Sequence, residues 1–242
     1  MKLTIAWLYP DSMSIYGDRG NVIALSKRAE WRGIEVQVQH LRKGDCMATL
    51  PDLVMFGGGQ DREQRSIERD FLELKGPMLR AAVEEGVPVL AVCGGFQMLA
   101  NGYRDADGAE IEGLGVLDAT TVAAPLNSQR FIGDIVVRTD FGGELVGFEN
   151  HGGRTRLGSC APLGHVVAGH GNNGQDGTEG ARFRNCFGTY MHGSLLPKNP
   201  WFTDLLLTTA LRRRYDSAMV LPSLDDSLEE RAHQLAAARA RR

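Results

Sequence analysis

Cys93 has the setting that most suggests chemistry. It stands between an apolar run, Val89-Leu90-Ala91-Val92, and the helix-like start Gly94-Gly95-Phe96-Gln97. A cysteine in a sharp strand-to-helix turn is lifted clear of the sheet, small neighbours permit the strained backbone, and the helix N-terminus favours the thiolate that attacks carbonyl carbon. Such a nucleophile needs a partner that takes its proton and later gives one to a departing amine, and histidine does both near neutral pH. Among the six histidines, His192 ends the strand-like stretch Gly188-Thr189-Tyr190-Met191-His192-Gly193, so its imidazole can protrude at a strand end. His151, in Glu149-Asn150-His151-Gly152-Gly153, is its chief rival. The third requirement is an oxyanion hole built from backbone N–H donors. Gly94, directly after the cysteine, supplies one candidate, and the loop Gly57-Gly58-Gly59 offers Gly58 or Gly59 as the second.

The elements that must position these groups follow from periodicity. Residues 2–8 and the runs Leu53-Val54-Met55-Phe56 and Val89-Leu90-Ala91-Val92 read as buried strands, and Ile34-Glu35-Val36-Gln37-Val38 alternates as a strand does. Helices are expected from the cap-type residues Asp18 and Asn21 to Trp31, and over residues 62–85 with a break at Gly76-Pro77. In this reading Asp18 and Asn21 serve as helix caps. Strand and helix alternate over the first ~100 residues, which predicts a parallel sheet covered on both faces. Beyond Tyr103, glycine-rich turns join β-branched strands, and two helices close the chain at residues 201–215 and 223–241. The last is amphipathic, with Leu224, Leu228 and Leu235 on one side. The fold class is α/β, a parallel or mixed sheet flanked by helices with a β-rich second half. Residues 1–215 form the main domain and 216–242 a C-terminal helical extension.

Composition narrows the function. The 242 residues carry 27 basic and 30 acidic side chains, a formal charge of −3, which argues against a nucleic-acid binder. No apolar run approaches the roughly 20 residues of a membrane span, and no signal peptide is evident, so a cytoplasmic location is expected. Cys46, Cys93, Cys160 and Cys186 are far apart without a C-x-x-C pair, so no metal site is assigned. The loop Gly57-Gly58-Gly59-Gln60-Asp61 matches neither a P-loop nor G-x-G-x-x-G. No cofactor is expected in this chain.

Taken together, glycine-rich loop, elbow cysteine and distant histidine resemble a class I glutamine amidotransferase. The stretch Gly188–Gly193 is similar to the histidine motif of the cobyric acid synthase branch. Four further stretches are similar to the glutaminase subunits of lipid II isoglutaminyl synthases, the GatD type. They are Leu8-Tyr9-Pro10-Asp11 with Tyr16-Gly17-Asp18-Arg19-Gly20-Asn21; Phe56-Gly57-Gly58-Gly59-Gln60-Asp61; Asn127-Ser128-Gln129-Arg130-Phe131-Ile132-Gly133; and Phe148-Glu149-Asn150-His151-Gly152-Gly153-Arg154-Thr155. The resemblance implies hydrolysis of L-glutamine to glutamate and ammonia. It also implies a heterodimer with a MurT-type ligase that holds ATP and Mg²⁺ and amidates the α-carboxyl of D-isoglutamate in lipid II, at the inner face of the membrane. By the same likeness Arg130 contacts substrate, and a guanidinium suits an α-carboxylate.

One departure stands out. The superfamily places a glutamate two residues after the histidine, and here that position is Ser194. The expectation is therefore that the partner supplies the orienting carboxylate in trans. Other readings of the same residues are a different cysteine hydrolase, a cobyrinate-type amidotransferase, and a non-catalytic assembly subunit.

Overall fold

Short strands buried along their whole length make the middle of the main sheet, as expected of strands covered on both faces. The computed structural model describes residues 1–105, 107–125 and 128–242, with residue 16 by its backbone alone. Asn127 of the Asn127–Gly133 stretch lies outside the described residues. The first half alternates as its pattern predicts: β1 (Lys2–Leu8), α1 (Arg19–Glu30), β2 (Glu35–Leu41), β3 (Leu53–Phe56), α2 (Asp61–Asp70), α3 (Gly76–Glu84), β4 (Val89–Val92) and α4 (Gly94–Leu99). The expected break at Gly76-Pro77 is a π-helical turn over Phe71–Lys75. Pro77 has no N–H to continue the α ladder, and the turn absorbs that loss before α3 begins.

The second half is β-rich. It contains β5 (Gly102–Arg104), β6 (Glu110–Glu112), β7 (Ala119–Ala123), β8 (Phe131–Arg138), β9 (Glu144–His151), β10 (Gly153–Leu157), β11 (Gly164–Ala168), β12 (Thr178–Glu179), β13 (Ala181–Phe183), β14 (Cys186–Thr189) and β15 (Met191–His192). The helices α5 (Pro200–Arg214) and α6 (Ser227–Ala240) follow.

The main sheet runs β13-β14-β4-β3-β1-β2. Its pairs β1–β2, β1–β3, β3–β4 and β4–β14 are all parallel, and only edge strand β13 is antiparallel. The consequence is positional. β1, β3, β4 and β14 are neighbours and end at the same edge, so the loops after Leu8, Phe56, Val92 and Thr189 converge there. Ligands of open α/β sheets bind at that edge. A second sheet, β12-β11-β8-β9-β15, joins the main one through the chain itself, because β15 follows β14 and pairs His192 with Phe148 of β9. The third sheet runs β10-β7-β5-β6.

α6 packs on its own domain through alanines rather than through its leucine side. Ala237 packs on Val136 and Val146, with Ala236 and Ala240 beside it, while Leu228 and Leu235 are exposed. Buried Arg28 ties the segment down by gripping Asp204 of α5 and Asp226 at the start of α6, and Arg32 also reaches Asp204. Removing one partner from such a buried network costs about 3–5 kcal/mol. Among the described residues no helix is long and apolar enough to cross a membrane.

Candidate active site

Cys93 sits in the turn between β4 and α4 with φ 51° and ψ −108°, backbone values that cost about 1–3 kcal/mol for a non-glycine residue. Two hydrogen bonds hold it there: its N–H donates to Thr189 O at 2.8 Å, and its carbonyl accepts from Gln97 N–H at 3.0 Å. The glycines after it are dictated by space. A Cβ on Gly94 would lie 2.7 Å from Gly59 O, and one on Gly95 would lie 2.7 Å from Gly57 O. The elbow is thus pressed against the glycine loop that follows β3. Cys93 keeps 9% exposure and opens onto a cavity of about 410 Å³, a size that suits a small ligand.

His192 is fully buried and meets Cys93 over Gly58. A Cβ on Gly58 would lie 3.0 Å from His192 Cε1 and 3.2 Å from Cys93 Cβ. Burial works to lower the imidazole pKa. Cys93 and the Asp18 carboxylate outweigh it and push the value up to about 10. At neutral pH His192 is thus an imidazolium beside Cys93.

Asp18 changes the sequence reading. It stands at the N-cap position of α1, yet its side chain makes no capping hydrogen bond. Its fully buried carboxylate turns to the site instead. Oδ1 lies 3.5 Å from His192 Nδ1, and Oδ2 accepts from Gly58 N–H at 2.6 Å. A carboxylate of the chain's own thus stands beside the imidazole, where the sequence reading looked to a partner for one. Ser194, standing where the superfamily has its acid, secures the Asp18 loop: with φ 51°, its Oγ donates to Gly17 O at 2.6 Å. Asn21, the other expected cap, accepts from Leu196 N–H through Oδ1.

The same contact corrects one oxyanion donor. Gly58 N–H is committed to Asp18, so Gly58 is not free to hold a developing oxyanion. Gly59 and Gly94 remain. The Gly59 nitrogen would lie 3.0 Å from a Cβ on Gly94, so the two backbones face each other. Gly94 is the first residue of α4, where an amide has no carbonyl one turn earlier.

Arg130 lines the cavity with Cys93, as the resemblance implied. Its guanidinium donates to the backbone and side-chain oxygens of Asn150, both at 3.2 Å. Among the described residues it has no carboxylate partner, so its charge is available to a ligand. His151 also lines the cavity but is bound otherwise. It is stacked on Tyr190 with ring centroids 3.9 Å apart, and its Nδ1 is 3.0 Å from Gly153 O. Burial first of all lowers its pKa to about 3, so it is neutral at physiological pH. From the cavity wall inward, Gln64 donates to Gln97, Gln97 donates to Tyr190 Oη, and Tyr190 meets Thr155 Oγ1 at 2.7 Å.

Glu179 backs the strand that delivers His192. It is fully buried, and its Oε1 accepts from Thr189 Oγ1 and Tyr190 N–H, both at 2.7 Å. Burial outweighs these bonds and pushes its pKa up to about 7 from 4.5. A folded-state value above the unfolded one means the folded protein holds this proton longer. The contribution to stability is fully present below pH 4.5 and is lost as pH rises through about 7. At 1.36 kcal/mol per unit the loss is about 3 kcal/mol at most. We expect Glu179→Gln to flatten the pH dependence of urea-unfolding stability across this window; an unchanged slope would assign it to another group.

A strained strand-end cysteine, a buried imidazolium and an inward carboxylate at the carboxyl edge of a parallel sheet define a cysteine-dependent amidotransferase class. A family model described as a CobB/CobQ-like glutamine amidotransferase domain matches residues 4–200. The chain is 44% identical over 214 residues to "Lipid II isoglutaminyl synthase (glutamine-hydrolyzing) subunit GatD" of Staphylococcus aureus, covering 88% of this chain and 86% of that protein. The protein of that name from Streptococcus pneumoniae is 42% identical over 232 residues, covering 95% and 88%. A solved structure described as a glutamine amidotransferase superposes with TM-score 0.57 at 20% identity, covering 85% of this chain and 98% of that one, which supports the fold. The chain belongs to the CobB/CobQ-like glutamine amidotransferase family, as a class I member of the GatD type.

Proposed function

We propose that this chain hydrolyses L-glutamine to glutamate and ammonia and delivers the ammonia to an ATP-dependent, MurT-type ligase subunit. That partner would amidate the α-carboxyl of D-isoglutamate in lipid II, working at the cytoplasmic face of the membrane. The observation that carries the reading is the meeting of Cys93, which lines the cavity, with the fully buried His192 and Asp18. Similarity to the two GatD proteins supports the acceptor and the partnership.

The chemistry follows from the geometry. The Cys93 thiolate attacks the side-chain amide carbon of glutamine, and the carbonyl π electrons move onto oxygen, which the N–H groups of Gly59 and Gly94 receive. The carbon–nitrogen bond then breaks, and the His192 imidazolium gives its proton to the nitrogen, which leaves as ammonia. The neutral imidazole takes a proton from a water that attacks the thioester. The carbon–sulfur bond breaks, glutamate leaves, and thiolate and imidazolium are restored. Asp18 holds the imidazole through Nδ1, leaving the other ring nitrogen for the reacting atoms.

Arg130 grips the α-carboxylate, a contact present before and during reaction. We expect Arg130→Ala to raise the glutamine KM about 10- to 100-fold, the worth of a hydrogen bond to a charged group, with kcat less affected. A fall in kcat at constant KM would remove this role. The assignment as a whole is tested by combining the chain with its co-purifying ligase, ATP, lipid II and isotopically labelled glutamine. Label in the lipid II amide is expected; labelled ammonia without lipid II amidation would keep the glutaminase and overturn the acceptor.

A further inference from the structure

The cavity holds two opposite charges that do not meet. Arg130 is bound only by the neutral Asn150, and Asp61, the first residue of α2, lines the same cavity with no cationic partner among the described residues. Among the described residues the single hydrogen bond to the Asp61 side chain comes from Tyr103 Oη, which donates to Oδ2 at 3.4 Å. Tyr103 also lines the cavity and feels the charges of Asp61, Arg130 and Cys93, which places its phenol among the three. Burial, and then the Asp61 carboxylate, push the phenol pKa up to about 12, so it stays a neutral donor that steadies the acid without neutralising it.

We propose that Asp61 receives the α-ammonium of the substrate, so that Asp61 and Arg130 together recognise the zwitterionic end of a free amino acid while Cys93 addresses its side chain. This rests on the glutaminase reading. The other polar groups of the substrate support it by elimination: in the reaction above, the amide oxygen accepts from Gly59 and Gly94 N–H, and the amide nitrogen must face His192 to be protonated. The ammonium is the one donor left, and the unpaired carboxylate in the cavity is its natural acceptor. Three separate attachments to one tetrahedral carbon also fix its handedness, so the site accepts a free L-amino acid and rejects carboxamides whose amine is acylated or missing.

The test compares L-glutamine with glutaramate, which keeps the carboxamide and the α-carboxyl position but has no amine. The wild-type chain should favour glutamine in kcat/KM by about tenfold or more. Asp61→Asn should lower kcat/KM for glutamine about tenfold through KM, leave glutaramate unchanged, and so erase the preference. Loss of a mere helix-terminal charge would lower both substrates together, and that result overturns the proposal. A wild-type enzyme that turns over glutamine and glutaramate equally well overturns it without any variant. Failure of the wild type, alone and with its ligase, to release ammonia from glutamine would instead sink the glutaminase reading.

Discussion

Cys93→Ala is expected to reduce ammonia release from glutamine to the uncatalysed background and to leave the fold intact. The side chain it removes is the one proposed to form the thioester, and no other lining side chain offers a thiol in its place. Asp61 and the Asn150 amide offer no comparable nucleophile, and the remaining cysteines lie away from the cavity: Cys186 is buried in β14, and Cys160 donates from Sγ to Asp118 O. The elbow survives because its geometry rests on backbone bonds to Thr189 and Gln97 and on the glycines pressed against it, none of which involve sulfur. An unchanged melting transition with activity at background is the expected pair of readings. Residual turnover well above background would mean that another group attacks the amide.

Asp18→Asn has the second-largest effect. The carboxylate has two duties, accepting from Gly58 N–H and facing His192 Nδ1. An asparagine can keep the first by offering its oxygen to Gly58, but its amide group then presents N–H to the imidazole. The ring must accept at Nδ1, which puts its proton on the other nitrogen and withdraws the base from the thiol. In the serine-protease triad the same exchange costs about 10⁴ in turnover, and a loss on that order is expected here, in kcat. A loss of tenfold or less, recovered fully on adding the ligase, would restore the idea that a partner's carboxylate orients the ring.

The contrast between Cys93 and Asp18 explains what the sequence made legible. Cys93 is announced by its neighbours, because an apolar strand, a cysteine and two glycines have few physical readings. His192 could be found because its short strand ends in glycine. Asp18 carries the same positional signal, since it lies in the loop after the first strand and that loop must leave the same edge as Cys93. The signal was masked by a local alternative: an aspartate just before a helix ordinarily caps it. Only the close contact of this loop with Ser194 and Gly58, residues more than 30 positions away, decides against capping. Gly58 and Gly59 show the same limit. The glycine loop was recognisable as an oxyanion candidate, but which amide stays free depends on where Asp18 reaches. In the closing helix, period shows an amphipathic pattern but not what it packs on; close approach to β8 and β9 selects the alanine face, and Leu228 and Leu235 stay exposed.

The central claim, a reactive Cys93 set in a cavity shaped for glutamine, is tested most directly by covalent capture. The chain is treated with 6-diazo-5-oxo-L-norleucine, a glutamine-shaped alkylating agent, and the modified peptide is located by mass spectrometry. The account predicts a single adduct on Cys93, prevented by excess L-glutamine and slowed in Asp18→Asn. An adduct on Cys46 or Cys160, or none at all while glutamine is still being hydrolysed, would contradict it.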